Sequence, residues 1–136
     1  MICPGGDTLS VMRVAVIIAS FLPFAVYAWR DHQFHFRGRR VSATEHALHA
    51  MIGLSLILVV SAAVSANTMA MAGGLIAFMM VGAVDEYVWH RNIPGEESDL
   101  HAKEHLALMI FVLVSLGVNE LPARLPQWIE RFRAIG

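Results

Sequence analysis

Asp85–His105 reads DEYVWHRNIPGEESDLHAKEH, and the rest of the chain has to be arranged around it. It joins two long apolar segments and gathers Asp85, Glu86, His90, His101, Glu104 and His105 into one short link. Ile93-Pro94-Gly95 interrupts any helix there, because proline lacks the amide donor and restricts the residue before it. An earlier apolar segment opens with Glu45-His46-Ala47-Leu48-His49. If consecutive segments cross a membrane in turn, that opening comes to the same face as the link. Ionisable groups are costly in or beside a bilayer, so nine of them at one level require a reason.

Composition points the same way. The chain has 136 residues, 57% hydrophobic and 15% charged, where an ordinary soluble domain carries about 25% charged residues. Its net charge of −1 gives no basic footprint and argues against a nucleic-acid partner. Cys3 is the sole cysteine, which excludes an internal disulfide and a cysteine-rich zinc or iron–sulfur site. With seven histidines, a bound transition metal would be held by nitrogen and oxygen.

Four segments are long enough to cross the roughly 30 Å of hydrocarbon, which takes about 20 helical residues. They run approximately Leu9–Trp29, Thr44–Ala66, Thr68–Trp89 and Leu100–Leu121. Pro23 predicts a kink in the first, and Ala66-Asn67-Thr68 is short enough only for a tight turn. Read from Met12, MRVAVIIASFLPFAVYA also has the look of a cleavable signal peptide ending near Ala28. A retained first helix is the preferred reading, since residues precede Met12 and the other segments already make an integral membrane protein. Ser98 or Gly95 suits the start of the fourth helix, with Glu96, Glu97 and Asp99 near its positive end. Gly73, Gly74, Ala77, Gly82 and Ala83 predict close helix approach in the third.

The tail Pro126–Ile135 sets Trp128, Ile129 and Phe132 beside Glu130, Arg131 and Arg133, a pattern that predicts a short interfacial helix. The expected architecture is therefore all-α: one transmembrane domain over residues 1–136, an integral membrane four-helix bundle with that short C-terminal helix. Arg30, Arg37, Arg39, Arg40, Arg91 and Lys103 lie on the side of the cluster, against Arg13, Arg124, Arg131 and Arg133 opposite. By the positive-inside rule this predicts a cytoplasmic cluster, in a bacterial inner membrane, with both termini outside.

On a helix that turns about 100° per residue, Glu45 and His49 lie about 40° apart, as do Glu86 and His90, and His101 and His105. Residues at i and i+4 share one helix face and can reach one metal or a bridged pair. Three segments thus each offer a carboxylate and an imidazole at one level. The expected ligands are Glu45, His49, Glu86, His90, His101, Glu104 and His105, with His46, Asp85 and Tyr87 as supporting neighbours. Imidazole favours iron, manganese or zinc over calcium or magnesium, and so many donors suit two transition-metal ions, iron first. The donor set resembles that of the ferritin-like di-iron bundles in ligand type. Their Glu-x-x-His spacing differs from Glu45-x-x-x-His49 and Glu86-x-x-x-His90 here.

His32 and His35 are expected in a solvated loop, the neighbouring arginines against lipid headgroups, and Met69, Met71, Met79 and Met80 as apolar filler. The function expected first is a di-iron membrane oxidoreductase acting on oxygen, a quinone or a lipid. Alternatives are a b-type haem electron carrier through His49 and His105, a zinc-dependent membrane hydrolase, and a non-catalytic scaffold tied by His–carboxylate ion pairs. Transport ranks low, because the middle of the bundle offers only weak donors such as Ser55, Ser61 and Ser115. The lipid bilayer is the expected partner, and a homo-oligomer is open.

Overall fold

The computed structural model describes the backbone at residues 5–38, 42–89, 91 and 95–133, and side chains at 8, 10–33, 42–89, 91 and 95–120. Among these residues there are four helices and no strand: α1 (Gly5–Gly38), α2 (Ala43–Val64), α3 (Thr68–Val88) and α4 (Gly95–Arg133). Each contains a stretch long and apolar enough to cross a membrane.

The helices meet along seams with the spacing of coiled coils. On α2 the inward positions are Glu45, His49, Ile52, Leu56, Val59 and Ala63, alternately four and three residues apart. On α4 they are Glu97, His101, Glu104, Leu108, Phe111 and Ser115, in the same alternation. Ile17, Phe24 and Asp31 are buried at seven-residue intervals on α1, and Met71, Gly74, Phe78 and Asp85 follow the same seam on α3. A repeat of this kind keeps one stripe of each helix facing its neighbours over the full length of the bundle. The stripes are apolar through the middle, where Phe21 lies 5.2 Å from Phe111 in an edge-on contact. Toward one end they become ionisable.

Two antiparallel pairs build the bundle, α2 with α3 and α1 with α4, and the packing between pairs is sparser. The α2–α3 turn closes with Ala66 at φ 56°, while Asn67 N–H donates to the Ala62 carbonyl at 2.9 Å and Ala66 N–H to that of Ala63 at 3.2 Å. These two bonds satisfy the last carbonyls of α2 in a Schellman arrangement. The Asn67 side chain then caps α3, accepting from Ala70 N–H at 3.0 Å. Gly74 sets the approach of the pair. A Cβ there would stand 2.9 Å from Val59 Cγ2 and 3.2 Å from the Val59 nitrogen. Gly73 and Gly82, expected to serve the same purpose, would meet nothing within 4 Å, because they lie off the α2–α3 seam.

At the end away from the cluster, Arg13 donates to Asn119 Oδ1 at 2.7 Å and to the Val64 carbonyl at 2.9 Å. Asn119 Nδ2 donates to the Ala63 carbonyl at 2.9 Å, and the Thr68 hydroxyl donates to Glu120. All four helices are joined there by hydrogen bonds.

Two boundaries differ from the sequence expectation. The first helix does not stop at Trp29; it continues to Gly38, so His32 and His35 belong to a helix and not to a loop. No proline or glycine intervenes after Trp29 until Gly38 itself, so nothing local stops the helix there. The fourth helix continues to Arg133, so the tail is not a separate interfacial helix. Pro122 and Pro126 are carried inside it, as Pro23 is inside α1. Prolines are tolerated in helices of this class where neighbouring groups re-satisfy the freed carbonyls.

Candidate metal centre

Local sequence places the donors. Ser42 caps α2, its hydroxyl accepting from Glu45 N–H at 3.2 Å while Glu45 Oε2 accepts from Ser42 N–H at 3.4 Å. This capping box fixes the start of α2 and sets His49 one turn further in. On α3, Asp85 falls on the seam and is 4% exposed. On α4, the polar opening Gly95–Asp99 starts the helix, and His101 and Glu104 fall on its seam. The extension of α1 brings in Asp31, which is 8% exposed.

His101 is the hub. Its Nε2 lies 2.9 Å from Glu86 Oε2. Its Nδ1 lies 3.7 Å from Asp31 Oδ2 and 3.9 Å from Glu104 Oε2. Ligand atoms of Asp31, His101 and Glu104 all fall within 4.8 Å of one another. Donors that share a tetrahedral ion at bond lengths of about 2.1 Å stand roughly 3.4 Å apart, so this triad would have to contract by up to about 1.4 Å to close on a metal. The His105 ring is 4.6 Å from that of His101. Across from them His49 Nε2 stands 3.4 Å from Asp85 Oδ2, joining α2 to α3.

These groups surround a cavity of about 150 Å³. α1 contributes Asp31 and His32 to its wall, α2 contributes His49, α3 contributes Asp85, and α4 contributes His101, Glu104 and His105. Four of the seven expected ligands therefore reach one space: His49, His101, Glu104 and His105. Glu45 is buried but does not line the cavity, since its carboxylate turns back to Ser42. Glu86 lies behind the imidazole of His101, on the side away from Asp31 and Glu104. His90 lies outside the described residues.

Of the expected supporting residues, Asp85 is on the cavity wall, while His46 is exposed on the surface. Tyr87 is 71% exposed, with the Arg91 guanidinium 5.6 Å over its ring, and so faces outward. Asp31 is the residue that sequence reasoning missed. Its signal was the seven-residue spacing from Ile17 and Phe24, which carries the buried stripe of α1 directly onto it.

Comparison with known proteins adds no relative: no family model matches the chain, and neither a curated protein nor a solved structure does.

Proposed function

We propose that this chain is a membrane metalloprotein whose cluster holds two transition-metal ions, and that it acts as a di-iron oxidoreductase on oxygen, a quinone or a lipid. One observation carries this reading. Ligand atoms of Asp31, His101 and Glu104 come within 4.8 Å of one another on one side of a partly open cavity that His49, Asp85 and His105 line from the others. In this arrangement Asp31, Glu104 and His101 Nδ1 would hold one ion, and His49, Asp85 and His105 the second. Mixed carboxylate and imidazole donors without thiolate suit iron, as in the di-iron carboxylate bundles.

The chain's own residues divide the remaining work. Glu86, hydrogen-bonded to His101 Nε2, fixes the ring so that Nδ1 faces the cavity, as outer partners of metal-bound imidazoles do. The apolar seam below, from Phe78 and Leu108 to Phe111, excludes water from one side. A bound iron pair would supply the one-electron chemistry that no side chain here provides. The cavity volume of about 150 Å³ falls below the roughly 300–1,000 Å³ of sites for larger ligands, which favours ions over a haem macrocycle.

A second reading has its own support. His101–Glu86 joins α3 to α4, and His49–Asp85 joins α2 to α3, so the cluster also fastens helices. The two readings separate by substitution. His101→Ala and Asp31→Asn should weaken iron binding by more than the roughly ten- to hundredfold that loss of a ligand's outer partner costs, while Asp99→Asn, on an exposed pair with Lys103, should leave it unchanged. If His101→Ala keeps the wild-type metal content and only lowers the melting temperature, the cluster is a fastener.

A further inference from the structure

The α3–α4 face, where the two helix pairs meet loosely, carries a groove of about 450 Å³. Its α3 wall is Leu75, Met79, Gly82 and Ala83, and its α4 wall includes Met109 and Leu113. Polar groups enter only at one end, where Glu86 and His105 close it. Phe78, Gly82 and His105 line both this groove and the metal-site cavity, so the two spaces adjoin at that end.

We infer that the groove binds a membrane quinol, with its chain lying along α3 and α4 and its ring at Glu86 and His105. The size fits. From Leu75 to Glu86 the helix rises about 16 Å at 1.5 Å per residue, close to one leaflet of a roughly 30 Å hydrocarbon layer. The volume lies within the range that small-molecule sites occupy. The surface is apolar along its length and polar at the head, which matches an amphiphile entering sideways from the bilayer. Gly82 lacks a side chain and Ala83 carries only a methyl group at the level where a ring would be thicker than a chain.

Charge selects among amphiphiles. Glu86 and His105 stand at the head end of the groove, while Asp31, Asp85 and Glu104 line the adjoining cavity, where bound metal ions would offset their charge. Among the described residues, neither Arg91 nor Lys103 lines the groove: Arg91 lies over Tyr87, and Lys103 pairs with Asp99. A phosphate headgroup would meet the Glu86 carboxylate at the end of the groove, whereas an uncharged hydroxyl can donate to Glu86 Oε and accept from the outer N–H of a ligating His105. A quinol has such hydroxyls.

This inference deepens the reading above by naming the substrate class, yet quinol binding can be measured without metal. The test uses the full chain in detergent, metal-loaded and chelator-stripped, with a benzoquinol bearing a decyl chain as probe and phosphatidylglycerol as competitor. Both forms should bind the quinol, and phosphatidylglycerol should compete poorly. Gly82→Leu, where a new side chain meets open space, should weaken quinol binding by about tenfold or more by filling the groove. Gly73→Leu, also in open space but off the groove, should bind normally and controls for folding. Equal binding by wild type and Gly82→Leu, or ready displacement by phosphatidylglycerol, would overturn the inference. Quinol binding that is lost in Gly82→Leu, in a protein that takes up no metal, would sustain the groove and remove the di-iron reading.

Discussion

Glu45 is 1% exposed, yet its carboxylate closes the capping box with Ser42 and does not line the central cavity. Glutamine serves a capping box as well as glutamate does. Glu45→Gln should therefore leave both metal content and melting temperature at wild-type values, whereas Ser42→Ala should cost about 0.5–2 kcal/mol of stability through the lost cap. Loss of metal in Glu45→Gln, read by elemental analysis, would place Glu45 among the ligands after all. At this scale the sequence was legible where a helix offers an i, i+4 pair with one member on the seam, as His101 and its neighbour His105 illustrate. Glu45 was harder to read, because a carboxylate three residues after a serine has two uses and spacing alone cannot choose between them. Asp31 was hidden for another reason. It is one acid between Arg30 and His32, and only the continuation of α1 beyond Trp29 turns it onto the buried stripe.

The seams set how the helices sit, and Gly74 is where α2 and α3 come nearest. A methyl group added there would press on the Val59 side chain and backbone. Gly74→Ala should destabilise the bundle by about 1–3 kcal/mol as an overpacked contact. Gly73→Ala, with open space around its Cβ, should be neutral or stabilising by up to about 1 kcal/mol from helix propensity. Thermal unfolding in detergent, followed by circular dichroism, separates the two, and equal effects would contradict the seam assignment. The existence of each helix and the α2–α3 turn were readable from apolar length and from the Ala66-Asn67 punctuation. The helix ends were not. Polar residues after Trp29 and prolines after Leu121 read as boundaries, but a helix ends where its backbone bonds find better partners, and neither stretch offers them before Gly38 or Arg133.

Taken whole, the molecule turns its apolar side chains outward as well as inward. Leu54, Ile57, Met80 and Leu113 are all exposed on the middle turns of α2, α3 and α4. A surface of that kind suits a hydrocarbon surrounding and would be a liability in water. Within it the four helices are joined by polar groups at both ends. At one end Arg13, Asn119, Thr68 and Glu120 form hydrogen bonds between helices, and at the other the histidines and carboxylates surround a cavity. That difference is why the cluster reads as a site and the Arg13 end as a latch. The bundle and its polar end followed from hydropathy and spacing, while the pairing of α1 with α4 depended on long-range packing that no local pattern encodes. The most direct measurement is metal analysis of detergent-purified protein with an optical spectrum of the same sample. The account predicts roughly two irons per chain, the number that the di-iron carboxylate bundles hold, and no Soret band. A protein that takes up no metal even after reconstitution, or one that shows a Soret band, would contradict it.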